Sequence, residues 1–109
     1  MTQPRMMPRF KRRVRVRYRD EKEKKESLAL TRDISPTGIA VNSNRPAEAG
    51  SFIHLVVEVE DDEPIELRGR VVWSHRVPAG MLAVEKGGFG IEFTNANERW
   101  YAYLSEIAA

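Results

Sequence analysis

From Val14 onward the chain alternates apolar and polar residues in short runs, the period of two expected of strands that bury one face. Val14, Val16 and Tyr18 share one face, while Arg13, Arg15, Arg17 and Arg19 share the other, so the first strand is cationic on its outside. After a charged turn over residues 20–26, Leu28 and Leu30 carry the alternation on to Arg32. Ser, Pro and Gly over residues 33–38 predict a turn, and a short strand resumes at Ile39. Beyond the loop at 42–50, Ile53, Leu55, Val57 and Val59 alternate with His54, Val56, Glu58 and Glu60. A turn at 61–64 leads into the antiparallel partner, with Ile65, Leu67, Val71 and Trp73 on the core side and a bend or bulge expected at Gly69. The connection at 77–88 carries a small apolar patch at 81–84, and Phe89, Ile91 and Phe93 form the last strand.

The final residues change period. Ala96, Trp100, Tyr103, Leu104 and Ile107 recur at helical spacing, and Asn95 followed by Glu98 reads as a capping box. Six short strands and one terminal helix predict an all-β fold with a C-terminal helix: a small six-stranded antiparallel β-barrel, closed because closure removes unpaired edges. The helix would cover one open end. The barrel is expected over residues 13–109. Residues 1–12, polar and interrupted by Pro4 and Pro8, are expected to form a flexible basic arm that buries too little apolar surface to order itself.

Composition narrows the function. A length of 109 residues fits one domain and leaves no room for a second, catalytic one. Cysteine is absent, which excludes disulfides, thiolate zinc sites and thiol nucleophiles. The longest aliphatic run, residues 81–84, falls far short of the ~20 needed to span a bilayer, and no apolar signal core opens the chain. The reading is therefore cytoplasmic, with no membrane insertion. The net charge of +2 hides an asymmetry: residues 1–25 hold eleven bases and three acids, the rest seven bases and thirteen acids. A cationic arm on an acidic body implies an anionic partner or a fold-back onto the body.

Two groups of residues could carry recognition. Arg9 and Arg13 stand four apart where the arm enters the first strand, and Asp33, Ser35 and Gly38 occupy the turn after the second. If those strands pair antiparallel, the two groups converge. Guanidinium forks match phosphate oxygens and the O6 and N7 acceptors of guanine, whereas a carboxylate accepts from the guanine N1–H and N2–H₂ edge. The set suits a guanine nucleotide. Catalysis has little support: Ser35 lacks a nucleophile elbow, His54 and His75 lie 21 positions apart without metal-ligand spacing, and the acids at 61–63 sit at a hairpin tip. No enzyme, metal site or cofactor is expected.

Here the sequence resembles the PilZ domains, receptors for the bacterial second messenger cyclic di-GMP. The resemblance rests on RxxxR at Arg9 and Arg13, DxSxxG at Asp33, Ser35 and Gly38, the closing strand Gly90-Ile91-Glu92-Phe93 and the terminal helix. It implies that the arm closes over the ligand, with Arg9 and Arg13 on phosphates and guanine edges, Asp33 and Ser35 on guanine, and Gly38 shaping the turn. Arg12, next to Arg13, is expected to be an additional phosphate contact. A second RxxxR at Arg13 and Arg17 leaves the arginine register open, although Arg9 and Arg13 precede the strand as the family pattern requires. The expected function is a cyclic di-GMP receptor and adaptor in which ligand orders residues 5–13 and builds a surface for an unidentified downstream protein. Alternatives are a small RNA- or single-stranded-DNA-binding barrel, disfavoured because aromatics on the cationic face are scarce, and a degenerate PilZ protein-interaction module.

Overall fold

The computed structural model describes residues 9–108. Its strands are β1 (Arg15–Asp20), β2 (Ser27–Ile34), β3 (Gly38–Asn42), β4 (Phe52–Val57), β5 (Ile65–His75) and β6 (Gly88–Phe93), followed by the helix α1 (Glu98–Ala108). The strands close into a barrel in the order β1-β2-β3-β6-β5-β4, with every neighbouring pair antiparallel. This is the six-stranded barrel with a terminal helix that the alternation predicts.

Inward positions supply the core: Val14, Val16 and Tyr18 from the first strand and its approach, then Ile39, Val41, Ile53, Leu55, Val57, Ile65, Leu67, Val71, Phe89 and Ile91. Trp100 and Leu104 of α1 complete it, and the Trp100 ring meets Phe93 edge to face at 5.2 Å between centroids. Strict antiparallel order sorts the connections into two ends. One end carries the arm, the β2–β3 turn, the β4–β5 turn and α1; the other carries the β1–β2 turn, the β3–β4 loop and the β5–β6 connection.

Several local expectations change in the tertiary fold. Leu28 and Leu30 are exposed, at 67% and 44%, because they stand opposite the outward-facing Arg17 and Arg15; their strand instead turns Ala29 and Thr31 inward. β4 ends at Val57 rather than running to Glu60. The irregularity in β5 falls between Val71 and Trp73, not at Gly69, and the shifted register turns Trp73 outward, 39% exposed, instead of into the core. The apolar patch at 81–84 stays exposed beyond a single 3-10 turn (Ala79–Met81). The helix cap is Asn97, whose Oδ1 accepts the Trp100 N–H at 3.0 Å, the spacing an N-cap requires. Asn95 accepts the Arg68 N–H at 2.6 Å and so ties the helix approach to β5.

On the outer wall Glu21 gathers β4 and β5 beside the end of β1. Arg68 donates from Nη2 to Glu21 Oε1 at 3.0 Å and from Nε to Oε2, and His54 Nε2 lies 3.1 Å from the same carboxylate. The Arg68 hydrogen bond holds the Glu21 carboxyl below its ordinary value of 4.5.

Candidate functional site

The arm reaches the barrel through backbone pairing. Phe10 forms an isolated antiparallel bridge with Ile34, its N–H donating to the Ile34 carbonyl at 2.8 Å and its carbonyl accepting the Ile34 N–H at 2.9 Å. Further along, Thr31 N–H donates to the Val14 carbonyl at 3.0 Å. Four steps on the arm therefore match three on β2, so residues 10–14 bulge. Thr31 fills that bulge from inside: its fully buried hydroxyl accepts the Val14 N–H at 2.8 Å and donates to the Arg12 carbonyl. A threonine among core positions thus satisfies backbone groups that an irregular segment would leave unpaired. The expectation of a mobile arm over residues 1–12 falls, for residues 1–8, outside the described residues.

The β2–β3 turn is built by Ser35 and Gly38. Ser35 N–H donates to the Gly38 carbonyl at 2.9 Å, and Ser35 Oγ accepts the N–H groups of Thr37 and Gly38 at 3.3 and 3.2 Å. Trp100 Nε1 then donates to the Ser35 carbonyl at 3.0 Å, so α1 anchors the turn from beneath. Gly38 is required here by close approach, not by a left-handed φ: a Cβ at this position would overlap the Ile91 carbonyl oxygen of β6.

These supports bring Arg9, Asp33, Ser35 and Gly38 to one hollow of about 140 Å³. Arg9 Nη1 lies 3.6 Å from Asp33 Oδ1. Glu92, Ala40, Gly90 and Trp73 form its far wall. A wider hollow of about 580 Å³ adjoins it, sharing Arg9, Ser35, Thr37 and Glu92 and extending to Tyr101 of α1. Arg12 and Arg13 are exposed and line neither hollow.

The sequence pattern did not reveal Trp73 as part of this site. Its indole lies flat on β6 over Gly90, where a Cβ would overlap Nε1 and stand 2.6 Å from Cδ1 and Cε2. The Arg32 guanidinium lies 5.7 Å from the ring centroid and is itself forked onto Asn42 Oδ1 at 3.0 and 2.9 Å. Beside an aspartate, an arginine and a pre-formed turn, an exposed indole over glycine is an arrangement able to hold a planar, hydrogen-bonding molecule.

A family model for the PilZ domain matches residues 3–107. The chain belongs to the PilZ domain family. These domains are a receptor family for cyclic di-GMP, and ligand binding and adaptor contacts, not catalysis, are their business. Solved structures share the PilZ fold. The inhibitor of motility MotI/DgrA of Bacillus subtilis aligns with a TM-score of 0.75 at 22% identity over 96% of this chain. The chain spans half the length of that protein. The PilZ domain of YcgR from Escherichia coli, solved with cyclic di-GMP, aligns with a TM-score of 0.71 at 14% identity, over 96% of this chain and 88% of that one. The PilZ domain of CeSA from a cellulose-synthesizing bacterium aligns at 0.59 and 22% identity, over 85% and 86% of the two chains. Among the curated proteins none matches. No helix among the described residues is long and apolar enough to cross a membrane.

Proposed function

We propose that this PilZ domain is a cytoplasmic receptor for cyclic di-GMP, without catalytic activity, that passes the signal to a partner protein through its arm. The observation that carries the reading is the meeting of Arg9 with Asp33, Ser35 and Gly38 around one hollow. Asp33 would accept the guanine N1–H and N2–H₂ edge, and the Ser35 turn would present the main chain to the same base. Trp73 would stack on a guanine face. Arg9, paired with Asp33 at an exposed site, is held by an interaction worth about 0–1 kcal/mol. A bidentate contact to phosphate or to guanine O6/N7 is worth about 1–3 kcal/mol, so the ligand outcompetes the resting pair.

The charge around the hollow argues for a moving arm. Among the described residues Arg9 is the one cation lining the hollow beside Asp33 and Glu92, which is a poor receptacle for two phosphates. Neutralising them requires Arg12 and Arg13 to come over the ligand. The bulge between Phe10 and Val14 supplies the slack, while the Phe10 bridge and Thr31 hold the two ends of the segment. On this reading ligand binding closes residues 9–13 against the barrel and creates the signalling surface.

Calorimetric titration with cyclic di-GMP beside cyclic di-AMP, GMP and short single-stranded RNA tests the proposal. Selective binding of the first is expected, lost in Arg9→Ala, Arg13→Ala and Asp33→Ala and kept in His54→Ala. Binding of RNA with steep salt dependence and no response to the dinucleotide would replace this reading by a nucleic-acid one.

A further inference from the structure

The end of the barrel opposite the nucleotide hollow holds a second concavity, of about 530 Å³, that the receptor reading does not use. Lys22, Lys25, Arg45 and Arg76 line it, contributed by the β1–β2 turn, the β3–β4 loop and the end of β5. Its deeper wall is apolar, with Pro46 and Ile53 buried. The β3–β4 loop is fastened to the β5–β6 connection and to β1: Ser43 N–H donates to the Gly87 carbonyl at 2.9 Å, and Ser43 Oγ accepts the Arg45 N–H at 3.0 Å while standing 3.4 Å from the Tyr18 hydroxyl. The Arg45 side of the concavity is therefore held to the folded barrel.

Its cations are uncommitted. Elsewhere Arg9, Arg15, Arg17, Arg68 and Arg99 each lie within 4.0 Å of a carboxylate, but among the described residues none of Lys22, Lys24, Lys25, Arg45, Arg76 and Lys86 does. Three acids of the same end are engaged by the barrel wall, Glu21 by Arg68, Glu26 by Arg17 and Glu85 by His75. At the same end of the barrel the β5–β6 connection exposes Met81, Leu82 and Val84, at 45%, 36% and 77%. Cations without an ion pair among the described residues, around a hollow at the same barrel end as exposed apolar side chains, are the complement of a segment with acidic and apolar residues together.

We infer that this end is a docking surface for an acidic protein segment carrying an apolar anchor. A flat anionic bilayer fits less well: Asp20, Glu23 and Glu48 line the same concavity and would repel a uniform sheet of negative charge. A protruding segment can place its acids on Arg45 and Arg76, avoid those three carboxylates and lay an apolar residue on Leu82. The surface is complete without nucleotide, so docking here holds the partner while the arm at the other end responds to ligand.

The chain has no cysteine, so Glu60→Cys on the opposite end permits biotinylation and immobilisation with this surface free. Random peptides displayed on phage are selected against the full chain, and the best are synthesised and measured by fluorescence anisotropy. Enriched peptides are expected to combine Asp or Glu with a neighbouring aliphatic or aromatic residue. Their affinity is expected to fall about tenfold or more in Arg45→Glu/Arg76→Glu, in Lys22→Glu/Lys25→Glu and in Met81→Ser/Leu82→Ser, with unchanged melting temperatures. It is expected to be the same with and without cyclic di-GMP, and to survive Arg12→Glu/Arg13→Glu. Loss in the arm variant with retention in the others would move the surface to the arm and overturn the inference. So would enrichment of peptides without acids, or a fluorophore on Leu82→Cys that shifts to the blue with phosphatidylglycerol vesicles while no peptide is enriched.

Discussion

Two glycines in the site face the same substitution with opposite consequences. In Gly38→Ala the new Cβ overlaps the Ile91 carbonyl oxygen and lies 3.2 Å from its carbon and 3.3 Å from Glu92 Cα. All three are backbone atoms of β6, the strand to which β3 is bonded, so no rotamer change relieves the overlap; the strands must part where Gly38 pairs with Glu92. Overpacking of this kind costs about 1–3 kcal/mol, more than the roughly 0.4–1 kcal/mol that alanine gains by restricting the unfolded chain. At about 4–8 °C per kcal/mol for a domain of this size, the net loss should lower the melting temperature by up to roughly 20 °C. In Gly90→Ala the overlapping atoms belong to the Trp73 ring, which is exposed and can swing off the sheet. Stability should stay near the parent, but the indole loses its placement. If it stacks on guanine, cyclic di-GMP affinity should drop about 10- to 100-fold, corresponding to roughly 1–3 kcal/mol per stacked base. Thermal melts and calorimetry separate the two effects. A Gly38→Ala protein that melts with the parent, or a Gly90→Ala protein that loses stability and keeps affinity, would refute the reasoning.

Other expectations follow from single contacts. Thr31→Val is nearly isosteric yet leaves the Val14 N–H without its acceptor, so a loss of about 1–3 kcal/mol and faster amide exchange at Val14 are expected, with Thr31→Ser restoring both. Trp100→Phe keeps most of the ring volume but removes the donor to the Ser35 carbonyl; denaturant melts should show a destabilisation of about 1–2 kcal/mol, and an unchanged midpoint would mean that α1 does not anchor the turn. Because Arg68 lowers the Glu21 carboxyl from 4.5, that contribution is complete above this value and fades as pH falls through the lowered one. Glu21→Gln should therefore melt below the parent at neutral pH and approach it in acid; a gap independent of pH would contradict the linkage.

Much of the fold was legible because a half-buried strand leaves its parity in the residues. Val14, Val16 and Tyr18, or Ile53, Leu55 and Val57, are inward for the reason their spacing implies. Parity misled where a neighbour decided the face: Leu28 and Leu30 look like core residues until pairing with Arg17 and Arg15 puts them outside. It misled again after Val71, where the register shifts and Trp73 lies outside, lining the hollow, and not in the expected core. Asn95 and Asn97 both offer a capping side chain, and only the contact with Arg68 shows which one is occupied elsewhere.

The site divides the same way. That Arg9, Asp33, Ser35 and Gly38 meet could be foreseen from spacing because an antiparallel first hairpin must bring its two ends together; that Arg12 and Arg13 line neither hollow could not. The roles of Thr31, Arg32, Trp73 and Trp100 could not, since each depends on atoms distant along the chain: the bulge over Thr31, Asn42 beside Arg32, Gly90 beneath Trp73 and the Ser35 carbonyl above Trp100. Local pattern determined which faces are buried and which turns occur, because those follow from backbone period and side-chain solvation. Closure of the barrel decided which side chains meet, because a register and the two irregularities within it are set by packing among strands and not by any one of them.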